Sequence, residues 1–418
     1  MESRLLIGIL FAVLVAACSD GGSVAPAPEP TAEPTAEVQF AEDRILVQIA
    51  DADDPEKVQK ILEDLEGVEI ERIGSSSFFV LHLPQGARVQ DVLKRAGHDV
   101  RLTQSSPDYR SAAPEGGPSD APILGSDLID AIPAQMSLTP LGLPEAHAVS
   151  TGVGLLVAVV DTGVDLGHPF LAGRIAEGGF DFIDRDPDPT EQRNFVDDDG
   201  DGMVDEQFGH GTFVASLVLA VAPGARILPL RALDDEGYGN ASTVASAIYW
   251  AVEHGAQVIN ISVDIEMDPH VVADAIDFAK EHEVVVVAAA GNSGLPDVVF
   301  PARYSEVIAV AATDADGIIA PFTNFGSEID LCAPGVGMLG AVPQELNPAG
   351  TARWSGTSFA TPLVAGVAAL VKSADPGLRP EEVLRRLEEG ALRLDELNPA
   401  HDGVLGAGLV RAGPALNP

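Results

Sequence analysis

The C-terminal two thirds of the chain alternates short apolar runs with segments of helical spacing. Runs typical of buried strands occupy residues 155–160, 225–230, 258–263 and 284–290, and helical spacing occupies 243–254 and 271–282. Continuous apolar strands separated by helices predict a mostly parallel sheet that is covered by helices on both faces. We therefore expect a large α/β domain over residues 134–418.

A smaller pattern precedes this domain at residues 41–110. Strand-like stretches cover 44–49, 68–73, 77–83 and about 100–102, with helical spacing at 55–65 and 89–96. The order β-α-β-β-α-β is the ferredoxin-like arrangement of an α+β domain. Between the two domains, residues 111–133 are rich in Pro, Gly, Ser and Asp and predict a linker.

The N-terminus has the pattern of an export signal. The apolar run of residues 5–17 is too short to span a bilayer comfortably and resembles a signal-peptide core. It ends in Val15-Ala16-Ala17-Cys18, which resembles a bacterial lipobox, so residues 1–18 predict a signal peptide with lipidation of Cys18. Secretion with cleavage near Ala17 is the alternative. The Pro/Ala/Glu-rich residues 19–40 predict a disordered tether that would hold a folded domain off a membrane.

Charge narrows the classes of partner. The 418 residues include 24 Lys and Arg against 64 Asp and Glu, a formal charge of −40, which argues against nucleic-acid binding. The excess acid is compatible with cation binding, high solubility or a salty medium. Cys332 has no cysteine partner in the domain and is expected to be a buried apolar residue.

Three short motifs carry the candidate chemistry. Ser358 follows a Gly-Thr turn and opens a small-residue helix, where free backbone N–H groups favour negative charge. Asp161 ends an apolar strand, at the sheet edge where ligands bind, and His210 lies between two glycines. Taken singly, each has an ordinary interpretation: a helix N-cap, a metal ligand or loop cap, and a structural histidine.

Taken together, the motifs resemble those of the subtilisin-like serine proteases (subtilases). The resemblance rests on Val-Asp-Thr-Gly at 160–163, Gly-His-Gly-Thr at 209–212 and Ser-Gly-Thr-Ser-Phe-Ala-Thr-Pro at 355–362, in the order Asp, His, Ser. The closing segment 406–412 is also similar. The resemblance implies a subtilisin-like fold and an endopeptidase acting on protein or peptide substrates. It also implies an N-terminal prodomain that assists folding and inhibits the enzyme intramolecularly.

The residue types fit the implied roles. Ser358 would be the nucleophile, His210 its general base, and Asp161 the group that orients the imidazole. Asn292, in an Ala-Gly-Asn-Ser-Gly segment after a buried strand, matches the family's oxyanion asparagine. An Asn between glycines could otherwise be a simple turn residue.

Two segments match those that bind substrate as an added strand in this family. They are Gly237-Tyr238-Gly239 and Ser262-Val263-Asp264. The family usually has glycine where this chain has Asp264. That carboxylate could narrow the pocket, attract a basic side chain or point to solvent.

An acidic loop suggests structural calcium. Asp197, Asp199, Asp201, Gly202 and Asp205 fall at positions 1, 3, 5, 6 and 9 of a calcium loop, but Phe208 stands where the closing Glu belongs. A solvated acidic loop is the alternative. Phe170 stands where many subtilases carry a calcium-ligating Asp, so that common site is not expected here.

The sequence thus predicts an exported, secreted or lipid-tethered serine endopeptidase of the bacterial cell envelope. It would be made as a zymogen that cleaves itself between residues 111 and 134. The alternative function is a surface binding protein built on an inactive subtilase scaffold.

Overall fold

The computed structural model describes residues 38–115, 122–136, 140–198 and 200–417. The predicted signal peptide, the lipidation site Cys18 and most of the predicted tether lie outside these residues.

The N-terminal part has the ferredoxin-like arrangement predicted from the sequence. Its elements are β1 (Phe40–Ile49), α1 (Pro55–Asp64), β2 (Glu69–Arg72), β3 (Phe78–His82), α2 (Val89–Ala96) and β4 (Leu102–Ala112). The strands form an antiparallel sheet in the order β2-β3-β1-β4. Alternate residues of β1, Ile45 and Val47, pack with Ile61 of α1 and Val92 of α2 in a core of their own. Asp54 caps α1 by accepting hydrogen bonds from two backbone N–H groups of its first turn.

Strand β4 is much longer than its sequence pattern predicts. The pattern predicts a strand near 100–102, whereas β4 runs to Ala112 and so enters the stretch predicted as a linker. Its sequence, Leu-Thr-Gln-Ser-Ser-Pro-Asp-Tyr-Arg-Ser-Ala, has no apolar alternation. The strand forms because β1 pairs with it along one edge, so tertiary contacts and not local propensity decide its length.

The larger part contains the remaining helices and strands. In chain order they are β5 (Ile123–Leu124), α3 (Ala131–Met136), α4 (Leu143–His147), β6 (Leu156–Asp161), β7 (Phe180–Asp181), α5 (His210–Val221), β8 (Arg226–Arg231), β9 (Tyr238–Asn240), α6 (Ala241–Glu253), β10 (Val258–Ile261), α7 (His270–Glu281), β11 (Val285–Ala289), β12 (Ile308–Thr313), β13 (Leu331–Pro334), β14 (Met338–Ala341), β15 (Thr351–Trp354), α8 (Thr357–Ala374), α9 (Pro380–Gly390) and α10 (Ala412–Leu416), with a 3-10 turn at Pro399–His401.

A seven-stranded parallel sheet is the centre of this part. Its strand order is β13-β12-β11-β10-β6-β8-β7. Helices α5 and α8 pack on one face and α6 and α7 on the other. In β6, Val157 and Val159 face the first pair, and Ala158 and Val160 face the second. This is the predicted α/β fold, and the predicted strand and helix positions agree with it to within a few residues.

Two further pairings connect the periphery. Strands β14, β15 and β5 form a small antiparallel sheet. The end of β4 pairs antiparallel with β9, from Arg110 opposite Asn240 to Ala112 opposite Tyr238. The first domain is thereby joined to the second by main-chain hydrogen bonds.

Candidate active site

The candidate catalytic residues meet at the carboxyl edge of the parallel sheet. Asp161 is the last residue of β6, His210 is the first of α5, and Ser358 is the second of α8. Gly211 allows α5 to approach β6, because a Cβ there would collide with the carbonyl oxygen of Gly163. The side chains of Asp161, His210 and Ser358 are all fully buried.

An imidazole–carboxylate pair joins two of the three motifs. His210 Nδ1 lies 2.6 Å from Asp161 Oδ1, which also accepts a hydrogen bond of 2.8 Å from the backbone N–H of Thr162. The bond turns Nε2 away from Asp161, toward the Glu115 oxygen that the Ser358 hydroxyl also contacts. This is the orientation that a general base needs.

Glu115, in the stretch predicted as a linker, brings the remaining groups together. Its Oε2 accepts a hydrogen bond of 2.7 Å from Ser358 Oγ and lies 3.1 Å from His210 Nε2. Its Oε1 accepts bonds of 2.8 Å from Asn292 Nδ2 and 3.3 Å from the backbone N–H of Ser358. Ser358 and His210 thus contact one oxygen of this carboxylate, and the two oxyanion donors contact the other.

Asn292 is aimed at the site by its own amide oxygen. That oxygen accepts bonds from the backbone N–H and the hydroxyl of Thr357, at 3.0 and 2.8 Å. The amide nitrogen consequently faces the same point in space as the Ser358 N–H. Two donors converging on one position are the geometry of an oxyanion hole.

The charge around His210 is unusual. Burial alone lowers the pKa of an imidazole, but the neighbouring carboxylates of Asp161 and Glu115 outweigh burial and raise the pKa of His210 to about 10. With Glu115 in place, the imidazole is therefore protonated at neutral pH.

Glu191 is a buried acid near the site that the motifs do not reveal. Its Oε1 accepts bonds from the Thr162 hydroxyl at 2.7 Å and from the backbone N–H groups of Gly209 and Gly211 at 3.2 and 3.1 Å. Burial raises the pKa of Glu191 to about 7, while the hydroxyl donors oppose that shift. This carboxyl ties the loop after Asp161 to the start of α5. It lies in an irregular loop, so no sequence period distinguishes it.

The two predicted substrate-binding segments lie on either side of residues 111–113. Ala112 exchanges backbone hydrogen bonds with Asp264, of 2.9 and 2.7 Å, and the Ala113 N–H donates to the Gly237 carbonyl at 2.8 Å. Ser111 lies opposite Gly239, within β9. Ser262 donates from its hydroxyl to the backbone carbonyl of Ser358, while the side chain of Val263 is buried in the core.

Asp264 places a carboxyl group beside residues 111–113. Its Oδ1 is buried and has no hydrogen-bond partner among the described residues. Burial, together with the charges of Glu266 and Glu115, raises the pKa of Asp264 to about 7.

The described carboxylates of the acidic loop do not converge on one point. Asp197 accepts from the N–H groups of Gly200 and Gly202, and Asp201 accepts from the N–H of Met203. Asp205 turns away and pairs with Arg193 at 3.0 Å. Asp199 lies outside the described residues. Within the part of the chain that the structure describes, no three His, Cys, Asp or Glu side chains are placed to hold a metal ion, so the calcium site stays a prediction.

An Asp-oriented imidazole and a helix-start serine that contact the same carboxylate oxygen, next to two converging N–H donors, define the site as that of a serine hydrolase. The subtilase family model matches residues 152–408, and the fervidolysin N-terminal prodomain model matches residues 26–101. The chain belongs to the subtilase family.

Several relatives are similar over the catalytic part. Thermitase from Thermoactinomyces vulgaris is 39% identical over 240 residues, which cover 55% of this chain and 79% of thermitase. A thermophilic serine proteinase from Bacillus sp. (strain AK1) is 38% identical over 248 residues, covering 57% of this chain and 56% of that protein. The chain thus matches little more than half the length of the second relative.

A solved structure is similar over both domains. Fervidolysin from Fervidobacterium pennivorans, described as a keratinolytic enzyme related to subtilisin, superposes with a TM-score of 0.73 at 27% identity. The match covers 91% of this chain and 61% of the fervidolysin chain.

Proposed function

We propose that this protein is an exported serine endopeptidase made as a self-processing zymogen. Ser358 is the nucleophile, His210 the general base and acid, and Asp161 the group that orients the imidazole and stabilises its charged form. Asn292 and the Ser358 N–H stabilise the oxyanion.

One observation carries this proposal: the chain's own residues 111–113 pair with the two predicted substrate-binding segments as the backbone of a peptide substrate would. Ala112 and Ala113 are hydrogen-bonded to the two segments on either side, and the next residues lead to the candidate catalytic groups. Main-chain pairing of this kind accepts many sequences, because it needs only an extended backbone.

The reaction follows from the residue types. Ser358 Oγ attacks the peptide carbonyl carbon while its proton passes to His210 Nε2, and the tetrahedral oxygen is held by the two oxyanion donors. His210 then returns the proton to the leaving amine, which departs and leaves an acyl-enzyme. A water molecule, deprotonated by the same imidazole, hydrolyses the ester and regenerates the serine.

The prodomain would act as the intramolecular inhibitor until the chain is cut between residues 111 and 134. The length of β4 supports this role, because the same strand pairs with β1 in the prodomain and with β9 at the cleft. If Cys18 carries a lipid, the cut frees the catalytic domain unless the prodomain stays bound.

Substrate preference follows from the residues that lie in the cleft. Ser111 and Ala113 are small, so the subsites that match them accept small side chains. Ala112 and Asp264 are directly opposite, and directly opposed residues project to the same face of a sheet. A Lys or Arg at the position of Ala112 would pair with the buried carboxyl of Asp264.

Calcium binding by Asp197, Asp199, Asp201 and Asp205 is also proposed, as a structural and not a catalytic site. The fit is partial, since oxygen donors are abundant but Asp205 is paired with Arg193. Binding would require Asp205 to exchange that partner for the ion.

The direct test compares the wild-type precursor with Ser358→Ala. The wild type should convert to a shorter form by a cut between residues 111 and 134 and then hydrolyse casein, and Ser358→Ala should do neither. Intact-mass spectrometry and a casein assay measure both. An identical cut in both chains would rule out self-processing. An intact wild type without activity would favour the inactive binding scaffold.

A further inference from the structure

We propose that the Glu115 side chain is a latch that holds the precursor uncut, by filling the oxyanion hole with a carboxylate in place of a peptide carbonyl. The latch rests on the proposed self-processing function. It goes beyond that function because it assigns the block to one side chain and not to the prodomain as a whole.

The Glu115 carboxylate contacts the nucleophile, the imidazole and both oxyanion donors. Both oxyanion donors bond to Oε1, so neither is available to a peptide carbonyl. Ser358 donates its hydroxyl proton to Oε2 at 2.7 Å, so that proton is directed at the carboxylate and away from the base. Nε2 of His210 contacts the same oxygen. Glu115 also contributes, together with Asp161, to raising the pKa of His210 to about 10 and so keeps the imidazole protonated. A protonated imidazole cannot act as a base.

The neighbouring peptide bond is held away from the nucleophile. The main-chain carbonyl of Glu115 accepts a hydrogen bond of 2.7 Å from Gln207 Nε2 and so does not enter the oxyanion hole. Upstream, Ala112 and Ala113 are bonded to Asp264 and Gly237. The backbone is therefore fixed on both sides of the inserted side chain, and cleavage requires the carboxylate to leave first.

The pocket fits a buried acid. Glu115 is 1% exposed, and a Cβ on Gly356 would collide with its carboxyl group, so the glycine of the Ser-Gly-Thr-Ser turn makes the room. A carboxylate pairs with the imidazolium and receives charge-assisted bonds, whereas a neutral carbonyl does not. Attack of Ser358 on a side-chain carboxylate would cut no peptide bond. The bound group is consequently an inhibitor and not a substrate.

The test measures self-processing of full-length chains. Glu115→Gln and Glu115→Ala should lose the intact precursor at least 10-fold faster than the wild type, measured by intact mass over time. Glu42→Gln, which removes an exposed acid from β1 of the same domain, should process at the wild-type rate. Equal or slower processing of both Glu115 variants would overturn the latch. If processing still requires Ser358, the proposed function survives that failure. Processing of a Ser358→Ala chain would instead overturn the proposed function.

A second measurement does not depend on the folding of the variants. Matured wild-type enzyme is assayed with two capped peptides covering residues 110–117, one with Glu and one with Gln at position 115. The Glu peptide should inhibit hydrolysis of a chromogenic substrate at least 10-fold more tightly at pH 7. Equal inhibition by the two peptides would contradict a carboxylate-specific block.

Discussion

The catalytic centre and the acidic loop that precedes α5 both contain buried carboxyl groups, but the two regions treat them in opposite ways. In the centre, Glu115 is surrounded by an imidazole, a hydroxyl, an amide and a backbone N–H. Near the loop, carboxyl groups face each other. Burial and the hydrogen-bonded neighbour Asp205 raise the pKa of Asp235 to about 6. Burial and Glu236 raise the pKa of Glu206 to about 8.

The difference shows that the partners of a buried carboxyl group decide what it does in the site. A carboxyl group surrounded by hydrogen-bond donors and an imidazole, as Glu115 is, competes for the site that binds the oxyanion. A carboxyl group that faces another acid, as Glu206 and Asp235 do, has a raised pKa and can be neutralised by a proton or by a cation. The centre is therefore built to stabilise negative charge, whereas the loop region carries negative charge in excess.

The largest effect is expected from removing a donor in the centre. Asn292→Ala should lower kcat of the matured enzyme by about 10²–10³, which is typical for the loss of one oxyanion donor, with little change in KM. Steady-state kinetics on a chromogenic peptide measure it. A change in KM alone would mean that the amide binds the ground state and does not stabilise the oxyanion.

A smaller effect is expected from Asp264, in the predicted substrate-binding segment 262–264. Asp264→Gly should reduce the preference for Lys over Ala at the position that Ala112 occupies, by roughly 3–10-fold in kcat/KM, because a partly screened ion pair is lost. Paired peptides that differ only at that position measure it. A preference unchanged by the substitution would show that Asp264 does not contact that side chain.

The charge of His210 can be followed directly. In a Ser358→Ala chain, which keeps the prodomain attached, Glu115→Gln should lower the pKa of His210, because one of the two carboxylates that raise it is gone. A raised pKa stabilises the folded chain below the ordinary value of 6.5, and this contribution is lost as the pH rises through about 10. The Tm of the Ser358→Ala chain should therefore fall toward pH 10. The fall should be smaller in the chain that also carries Glu115→Gln.

NMR titration of the imidazole decides that prediction. The same pKa in both chains would mean that Glu115 does not pair with His210 in solution.

The smallest effect is expected in the loop region. The pKa of Glu206 is raised, so its neutral form stabilises the fold fully below about 4.5, and this contribution is lost as the pH rises through about 8. Glu206→Gln should therefore raise Tm at pH 8 by about 1–3 °C, and at pH 4 it should have almost no effect. Millimolar calcium should raise the wild-type Tm at pH 8 if the ion replaces the proton. A calcium chelator that leaves the wild-type Tm unchanged would remove the calcium proposal.

The contrast also marks what could be predicted from sequence. Asp161, His210 and Ser358 lie where a strand or helix begins or ends, and Asn292 follows shortly after β11. Each lies within a short glycine-containing motif, so local sequence identifies them. Glu115, Glu191 and Gln207 lie in irregular segments and gain their importance only from residues far away in the chain. The acidic loop is a different case: its spacing resembles a calcium loop while Asp205 is engaged by Arg193, so calcium binding there stays a prediction.

Labelling with a fluorophosphonate probe shows whether Ser358 is a nucleophile activated in this centre. Matured wild-type enzyme should acquire one probe per chain, located on the peptide that contains Ser358, and a His210→Ala chain should label at least 10²-fold more slowly. Labelling at another serine, or equal labelling without the imidazole, would contradict that role.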